Sequence, residues 1–316
     1  RTWTGPSTRG PHPATAWPVT AEMGALQSET GVLSTEQVEA FWRDGVLTVP
    51  DAVTPAQLQA LRADFEGWVA ESRNHEAPYG EAVDGRARFD VQTGHSADRP
   101  ALRRVQAPTE VSAAYYEVMA ASSMVDMVAD LLGPDVKLHH SKVNSKLPGA
   151  STEVKWHQDF PFTPHSNTDL VTALLMVDEV TSENGPLEVV PGSHRGPIHS
   201  LWHDGVFTGA VDGAVASEMQ QNAVACVGTA GSVCLMHTKL AHGSAPNFSD
   251  RSRTLFICVY SAGDAAPCSP NPAPTVHEGL FVRGSDPARI RSVPFEVETP
   301  EVSPGASFFT QQEART

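Results

Sequence analysis

The chain has 316 residues, 40% of them hydrophobic, with 22 basic side chains against 37 acidic ones and a formal net charge of −15. That length supplies the core of one large domain or two small ones, and no window approaches the ~18 consecutive apolar residues of a membrane span. The acidic excess repels phosphate backbones and argues against a nucleic-acid partner. No charged and apolar leader opens the chain, so a cytoplasmic location is expected.

Residues 1–30 are rich in Pro, Gly, Thr and Ser without sustained period and read as an irregular N-terminal arm. Ser34-x-x-Gln37 has the form of a capping box and opens a short helix through Phe41 and Trp42. Residues 45–49 read as a strand. Thr54-x-x-Gln57 is a second capping box, and Leu58, Leu61, Phe65 and Val69 give the helix behind it an apolar stripe. A third helix is predicted from about Glu110 to Leu132, stopped by Gly133-Pro134.

Beyond Pro134 the pattern changes to short runs of Val, Leu, Thr and Ile broken by Gly, Pro, Asn and Ser: 136–147, 153–160, 169–178, 186–190, 223–227, 232–237 and 254–261. Such spacing argues a β-sandwich or barrel. The expected fold is therefore mainly β with N-terminal helices, its core a jelly roll of about eight strands with a ligand-sized interior. One domain is expected over 31–316, divided into a helical part (31–134), a jelly-roll core (135–265) and an irregular C-terminal segment (266–316). Cys226, Cys234, Cys258 and Cys268 show no C-x-x-C spacing. The first three lie in apolar runs and read as small buried hydrophobes rather than redox groups.

Period-2 alternation picks out two strands. In 138–146 the even positions are His140, Lys142, Asn144 and Lys146, an unusually polar face. In 253–261 the odd positions are Arg253, Leu255, Ile257 and Val259, which sets an arginine on an apolar face. No acid shares that face within the strand, so an external anion is the expected partner.

The chemistry centres on His157-Gln158-Asp159. On a strand, residues i and i+2 project to one side, so the two side chains can grip one ion. Imidazole plus carboxylate with one further histidine is the donor set of the two-histidine, one-carboxylate iron site, though it suits other metals too. His237 and His242 are both placed to be the third ligand. His242 is favoured, because it opens a small-residue turn, His242-Gly243-Ser244-Ala245-Pro246-Asn247, that lets backbone approach a site closely.

Trp156-His157-Gln158-Asp159, Asn184-Gly185-Pro186-Leu187, Pro191-Gly192-Ser193-His194, His242-Gly243-Ser244 with Asn247, and Arg253 occur in an order and spacing that resembles the phytanoyl-CoA dioxygenase family of Fe(II)/2-oxoglutarate oxygenases. The resemblance runs from about Leu138 to Tyr260. It implies a double-stranded β-helix of cupin-like type, with Fe(II) on His157, Asp159 and His242. It further implies 2-oxoglutarate held at its distal carboxylate by Arg253 with help from Ser244. Asn144 is similar in position to a family residue near the other end of the co-substrate, with Lys142 and Lys146 as weaker candidates. Pro191-Gly192-Ser193-His194 reads as a turn.

The implied reaction consumes O2 and 2-oxoglutarate and hydroxylates a C–H bond of a small molecule, releasing succinate and CO2. Desaturation, ring formation and demethylation stay open. Related halogenases carry a small residue in place of the carboxylate, and the retained Asp159 argues for a hydroxylase. Two other classes compete: a non-redox metal hydrolase or isomerase on a cupin-like barrel, which has no need of Arg253, and a catalytically silent binding protein. Segments 160–168 and 201–207 read equally as substrate lid or as packed surface turn.

Overall fold

The computed structural model describes residues 31–148 and 153–301, so the expected N-terminal arm lies outside the described residues. Both capping boxes form. The Ser34 hydroxyl accepts from the Gln37 amide while the Gln37 side chain accepts from the Ser34 amide, and Thr54 and Gln57 repeat the exchange. Two orphan amides are thereby satisfied at the start of α1 (Thr35–Asp44) and again at α2 (Pro55–Ser72). Between them runs β1 (Val46–Val49).

Next come β2 (Tyr79–Glu81), β3 (Ala87–Val91) and β4 (Leu102–Gln106), then α3 (Ala113–Ala121) and α4 (Ser123–Leu132). The core follows as β5 (Val136–Lys146), β6 (Val154–His157), β7 (Leu170–Met176) and β8 (Leu187–Val189). A hairpin of β9 (Trp202–His203) and β10 (Val206–Phe207) leads into α5 (Gly213–Gln221). The chain then forms β11 (Val224–Cys226), β12 (Val233–His237), β13 (His242–Ser244), β14 (Arg253–Ala262) and β15 (Phe281–Arg283).

Apart from the β9–β10 hairpin, these strands make two facing antiparallel sheets that do not close into a barrel. The large sheet has the order β1-β12-β7-β14-β5-β4-β3-β2, with β15 added beside β5, and the small sheet has the order β11-β8-β13-β6. The large sheet is apolar on both faces of its centre, but the two faces meet different partners. Val171, Ala173, Leu175, Phe256, Cys258 and Tyr260 point outward into a core shared with the helices, where Phe41, Leu61, Tyr115 and Met124 are fully buried. Each such side chain contributes about 1.5–3 kcal/mol on burial. The Tyr260 hydroxyl donates to Met119 O at 2.8 Å and so stays satisfied inside that core. Leu174, Met176, Cys234, Met236, Leu255 and Ile257 point inward toward the small sheet.

Four features depart from the sequence reading. The single helix expected over 110–132 is two helices, because Ser122 is extended (φ −85°, ψ 166°) and its hydroxyl turns back to Val118 O at 2.6 Å. A serine bonding its i−4 carbonyl competes with the helix ladder at that point. The stretch read as helical also carries β2, β3 and β4, which extend the large sheet. The segment read as irregular contributes β15, whose Phe281 pairs with Lys137. Residues 242–244, read as a turn, are a strand of the small sheet. Cys226, Cys234 and Cys258 are buried free thiols. Among the described residues, no helix is long and apolar enough to cross a membrane.

Candidate active site

His157 ends β6, and His242 begins β13 directly opposite it in the small sheet. Cross-strand neighbours stand close, and the two imidazole centroids are 4.2 Å apart. Gly243 permits the tight pairing: a Cβ there would lie 2.9 Å from Val154 O. Asp159 is not on the strand. Pro161 has no amide for a ladder, and the Phe160 amide goes instead to Thr238 O at 2.9 Å. Asp159 therefore sits in a turn (φ −73°, ψ −31°) at the head of a 3-10 segment. This corrects the strand argument, yet the turn delivers the carboxylate to the same place. Gln158 holds the turn by donating to Pro197 O and Lys239 O at 3.1 and 2.7 Å and accepting from the His199 amide at 2.9 Å.

Asp159 Oδ1 lies 3.7 Å from Nε2 of both His157 and His242. One donor atom from each of the three residues lies within 4.8 Å of the other two, so the set can converge on one ion. The protonation pattern fits. Nδ1 of His157 faces Lys155 O at 2.8 Å and Nδ1 of His242 faces Leu240 O at 2.9 Å. A carbonyl only accepts, so each Nδ1 carries the proton and each Nε2 presents a lone pair. Burial, reinforced by His242, pulls His157 down to about 3, so it is neutral. Burial pushes the Asp159 carboxyl up, but His242, His157, Lys142 and the Thr172 hydrogen bond outweigh it and hold it below its ordinary value. Thr172 on β7 donates to Asp159 Oδ2 at 3.0 Å, which leaves Oδ1 to the histidines. Nothing in the sequence marked Thr172, because it lies far from the motif and inside an apolar run.

These groups open into a cleft between the two sheets of about 840 Å³, mouth included. Lys142, Asn144, Ser244 and Arg253 all line it. Arg253 is buried and opposite Lys146 in register, and its Nε and Nη2 donate to Gly185 O at 3.1 and 2.7 Å. Asp178 on the neighbouring segment also favours its charge. Arg253 thus has a backbone acceptor and a nearby acid that strand alternation alone did not reveal. Gly185 (φ 75°) is required there, since a Cβ would lie 2.7 Å from Ala245 O. Lys146 donates to the Ser244 hydroxyl at 2.8 Å and to Ala245 O, and burial followed by Arg253 pulls its ammonium down to about 6. Asn144 lines the middle of the wall with its Oδ1 unpartnered among the described residues.

His237 does not join this group. It ends β12 in the other sheet, with its ring 6.0 Å from that of Trp42 and 5.1 Å from that of His194. The loop 201–207 is a small hairpin whose Phe207 is buried with Trp156, Val211 and Met219, behind the strand that carries His157.

Residues 41–255 match the phytanoyl-CoA dioxygenase (PhyH) family. The chain belongs to that family. It is 33% identical over 223 residues to a probable alpha-ketoglutarate-dependent hypophosphite dioxygenase of Stutzerimonas stutzeri, covering 68% of this chain and 77% of that one. It is 27% identical over 253 residues to the L-proline trans-4-hydroxylase of Streptomyces griseoviridis, covering 73% of this chain and 87% of that one. In fold it is similar to EctD from S. alaskensis with bound Fe, at a TM-score of 0.61 and 23% identity over 88% of this chain and 91% of that one. The protein is therefore a 2-oxoglutarate-dependent non-haem iron dioxygenase, a hydroxylase rather than a halogenase, that works with Fe(II), 2-oxoglutarate and O2.

Proposed function

We propose that this dioxygenase hydroxylates an unactivated C–H bond of a small amino acid-like or secondary-metabolite substrate. His157, Asp159 and His242 hold Fe(II), and Arg253 with Ser244 holds the distal carboxylate of 2-oxoglutarate beside Asn144. The observation that carries this reading is the convergence of two Nε2 lone pairs and one ionised Oδ1 at the floor of a cleft with a buried arginine at its end. A facial triad leaves positions for co-substrate and oxygen, and a guanidinium meets a carboxylate in a charge-assisted pair worth about 1.5–3 kcal/mol.

When bound, iron and 2-oxoglutarate supply the oxidising chemistry: R–H, O2 and 2-oxoglutarate become R–OH, succinate and CO2. The chain's own task is to bind, orient and shield. Each Nδ1–H is spent on a backbone carbonyl, which leaves each Nε2 as the ligating atom. Asp159 is aimed by Thr172. Leu174, Met236, Leu255 and Ile257 give the cleft an apolar floor that excludes water from the reacting carbon.

Anaerobic addition of Fe(II) and 2-oxoglutarate should produce a weak visible charge-transfer band. Succinate release should then identify substrates from a panel of amino acids, osmolytes and secondary-metabolite intermediates. A metal hydrolase or a silent binding protein gives neither signal. Relatives named for hypophosphite and for L-proline set the first members of that panel.

A further inference from the structure

The cleft holds more positive charge than its iron site and co-substrate use. Five basic side chains line it, Arg103, Arg104, Lys142, Lys146 and Arg253, of which only Lys146 is pulled down to about 6. Arg253 and Lys146 cluster with Ser244 at one end. Arg103 Nε donates to Asp90 at 2.8 Å. Arg104 and Lys142 are left. Arg104 is 5% exposed, its Nε is unpartnered, and among the described residues its guanidinium makes no hydrogen bond or ion pair. The half-buried Lys142 ammonium likewise makes no hydrogen bond or ion pair among the described residues, although the nearby Asp159 favours its charge.

Register explains why the two meet. Arg104 on β4 stands opposite Asn144 on β5, and Lys142 is the next residue of β5 on the same face, opposite Gln106. Neither has an acid to itself. Asp90, opposite Arg104 on β3, is engaged by Arg103, and Asp159 is engaged by Thr172 and faces both histidines. A buried cation without a partner is costly, so its persistence in a cleft wall points to a partner that arrives with ligand.

We propose that the substrate carries an oxyanion head, a carboxylate or a phosphorus oxyanion, held by Arg104 and Lys142, with its aliphatic body on the apolar floor formed by Leu255 and Ile257. This rests on the dioxygenase reading above. Charge balance supports it. Fe(II) and the 2-oxoglutarate dianion cancel, the charges of Arg253 and Asp159 cancel, and Arg104 and Lys142 remain without a counter-charge. Burial pulls Arg104 to about 10 and Lys142 to about 8, so both stay protonated at neutral pH.

The test uses the full chain, anaerobic, with Fe(II) and 2-oxoglutarate. Hexanoate, hexylphosphonate and hexanamide are titrated against the visible band, whose formation before any probe is added tests the dioxygenase reading separately. At least one anion should perturb the band at a concentration roughly tenfold or more below that of the amide. Comparison of hexanoate with hexylphosphonate decides between a carboxylate and a phosphorus head. In Arg104→Gln the preference for anions should collapse while the dependence of the band on 2-oxoglutarate stays as in the wild type. Arg104→Lys, which keeps the charge, should retain the preference. The proposal is overturned if the amide binds as well as both anions, if neither anion binds at millimolar concentration, or if Arg104→Gln weakens 2-oxoglutarate rather than the anions.

Discussion

Among the buried histidine pairs of the described residues, two differ in a way that separates chemistry from packing. His157 and His242 have ring centroids 4.2 Å apart; His194 and His237 have theirs 5.1 Å apart. In the first pair each Nδ1 faces a backbone carbonyl, so each Nε2 is a bare donor aimed at Asp159. In the second pair His237 Nδ1 accepts from the Lys239 amide at 3.0 Å, and His194 Nε2 donates to Trp42 O at 3.2 Å. The Nδ1 lone pair of His237 is thus consumed by the backbone, and among the described residues no carboxylate hydrogen-bonds either ring. Burial and the count of imidazoles are alike; the atom standing behind each ring is not.

The largest expected effect tests that contrast directly. His242→Ala or Asp159→Ala should reduce succinate formation to background and remove the anaerobic visible band. His237→Ala should keep measurable turnover. The reverse pattern would break the comparison and move the iron site. Next in size is Arg253→Gln, which should raise the 2-oxoglutarate concentration needed for half-maximal turnover by roughly 10- to 100-fold, while iron binding measured by titration is unchanged. Smaller again is Thr172→Val, which keeps volume and removes the hydroxyl that aims Asp159. Orienting partners of a ligand are worth roughly tenfold in metal affinity, so the Fe(II) dissociation constant should rise by about that factor at unchanged Arg253 function.

The residues proposed for the iron and the co-substrate were legible because the sequence holds them in short, ordered motifs, and the polar face of 138–146 and the arginine on the apolar face of 253–261 were legible from alternation alone. Lys142, Asn144 and Lys146 do line the cleft, and Leu255 and Ile257 do share its floor. What escaped is informative. Strand β4, Leu102-Arg103-Arg104-Val105-Gln106, is buried throughout, yet its charged residues hide the apolar signal that marks a buried strand. Charge stands there because the face looks into a polar cleft rather than a core. Thr172 was invisible for the opposite reason, as one hydroxyl within an apolar strand. Asp159 was placed on a strand because alternation continues through it, and the missing amide of Pro161 ends that ladder.

The smallest expected effect concerns the packing pair and has a definite sign. Burial, then His194 and Lys239, pulls His237 down to about 3, well below its ordinary value near 6.5. As pH falls below about 6.5 the unfolded chain takes up a proton on this residue while the folded chain does not. Stability contributed by the neutral form is therefore complete above that value and is lost progressively as pH falls toward 3. His139, held near 3 chiefly by burial, adds a term of the same sign. Replacing His237 with Asn keeps an acceptor for the Lys239 amide and removes one titrating group. Urea unfolding of metal-free protein across this window should then show a shallower loss of stability for His237→Asn, by up to about 1.4 kcal/mol per pH unit. Parallel curves for the two proteins would mean that His237 is not held neutral by its surroundings, and the contrast between the two pairs would lose its physical basis.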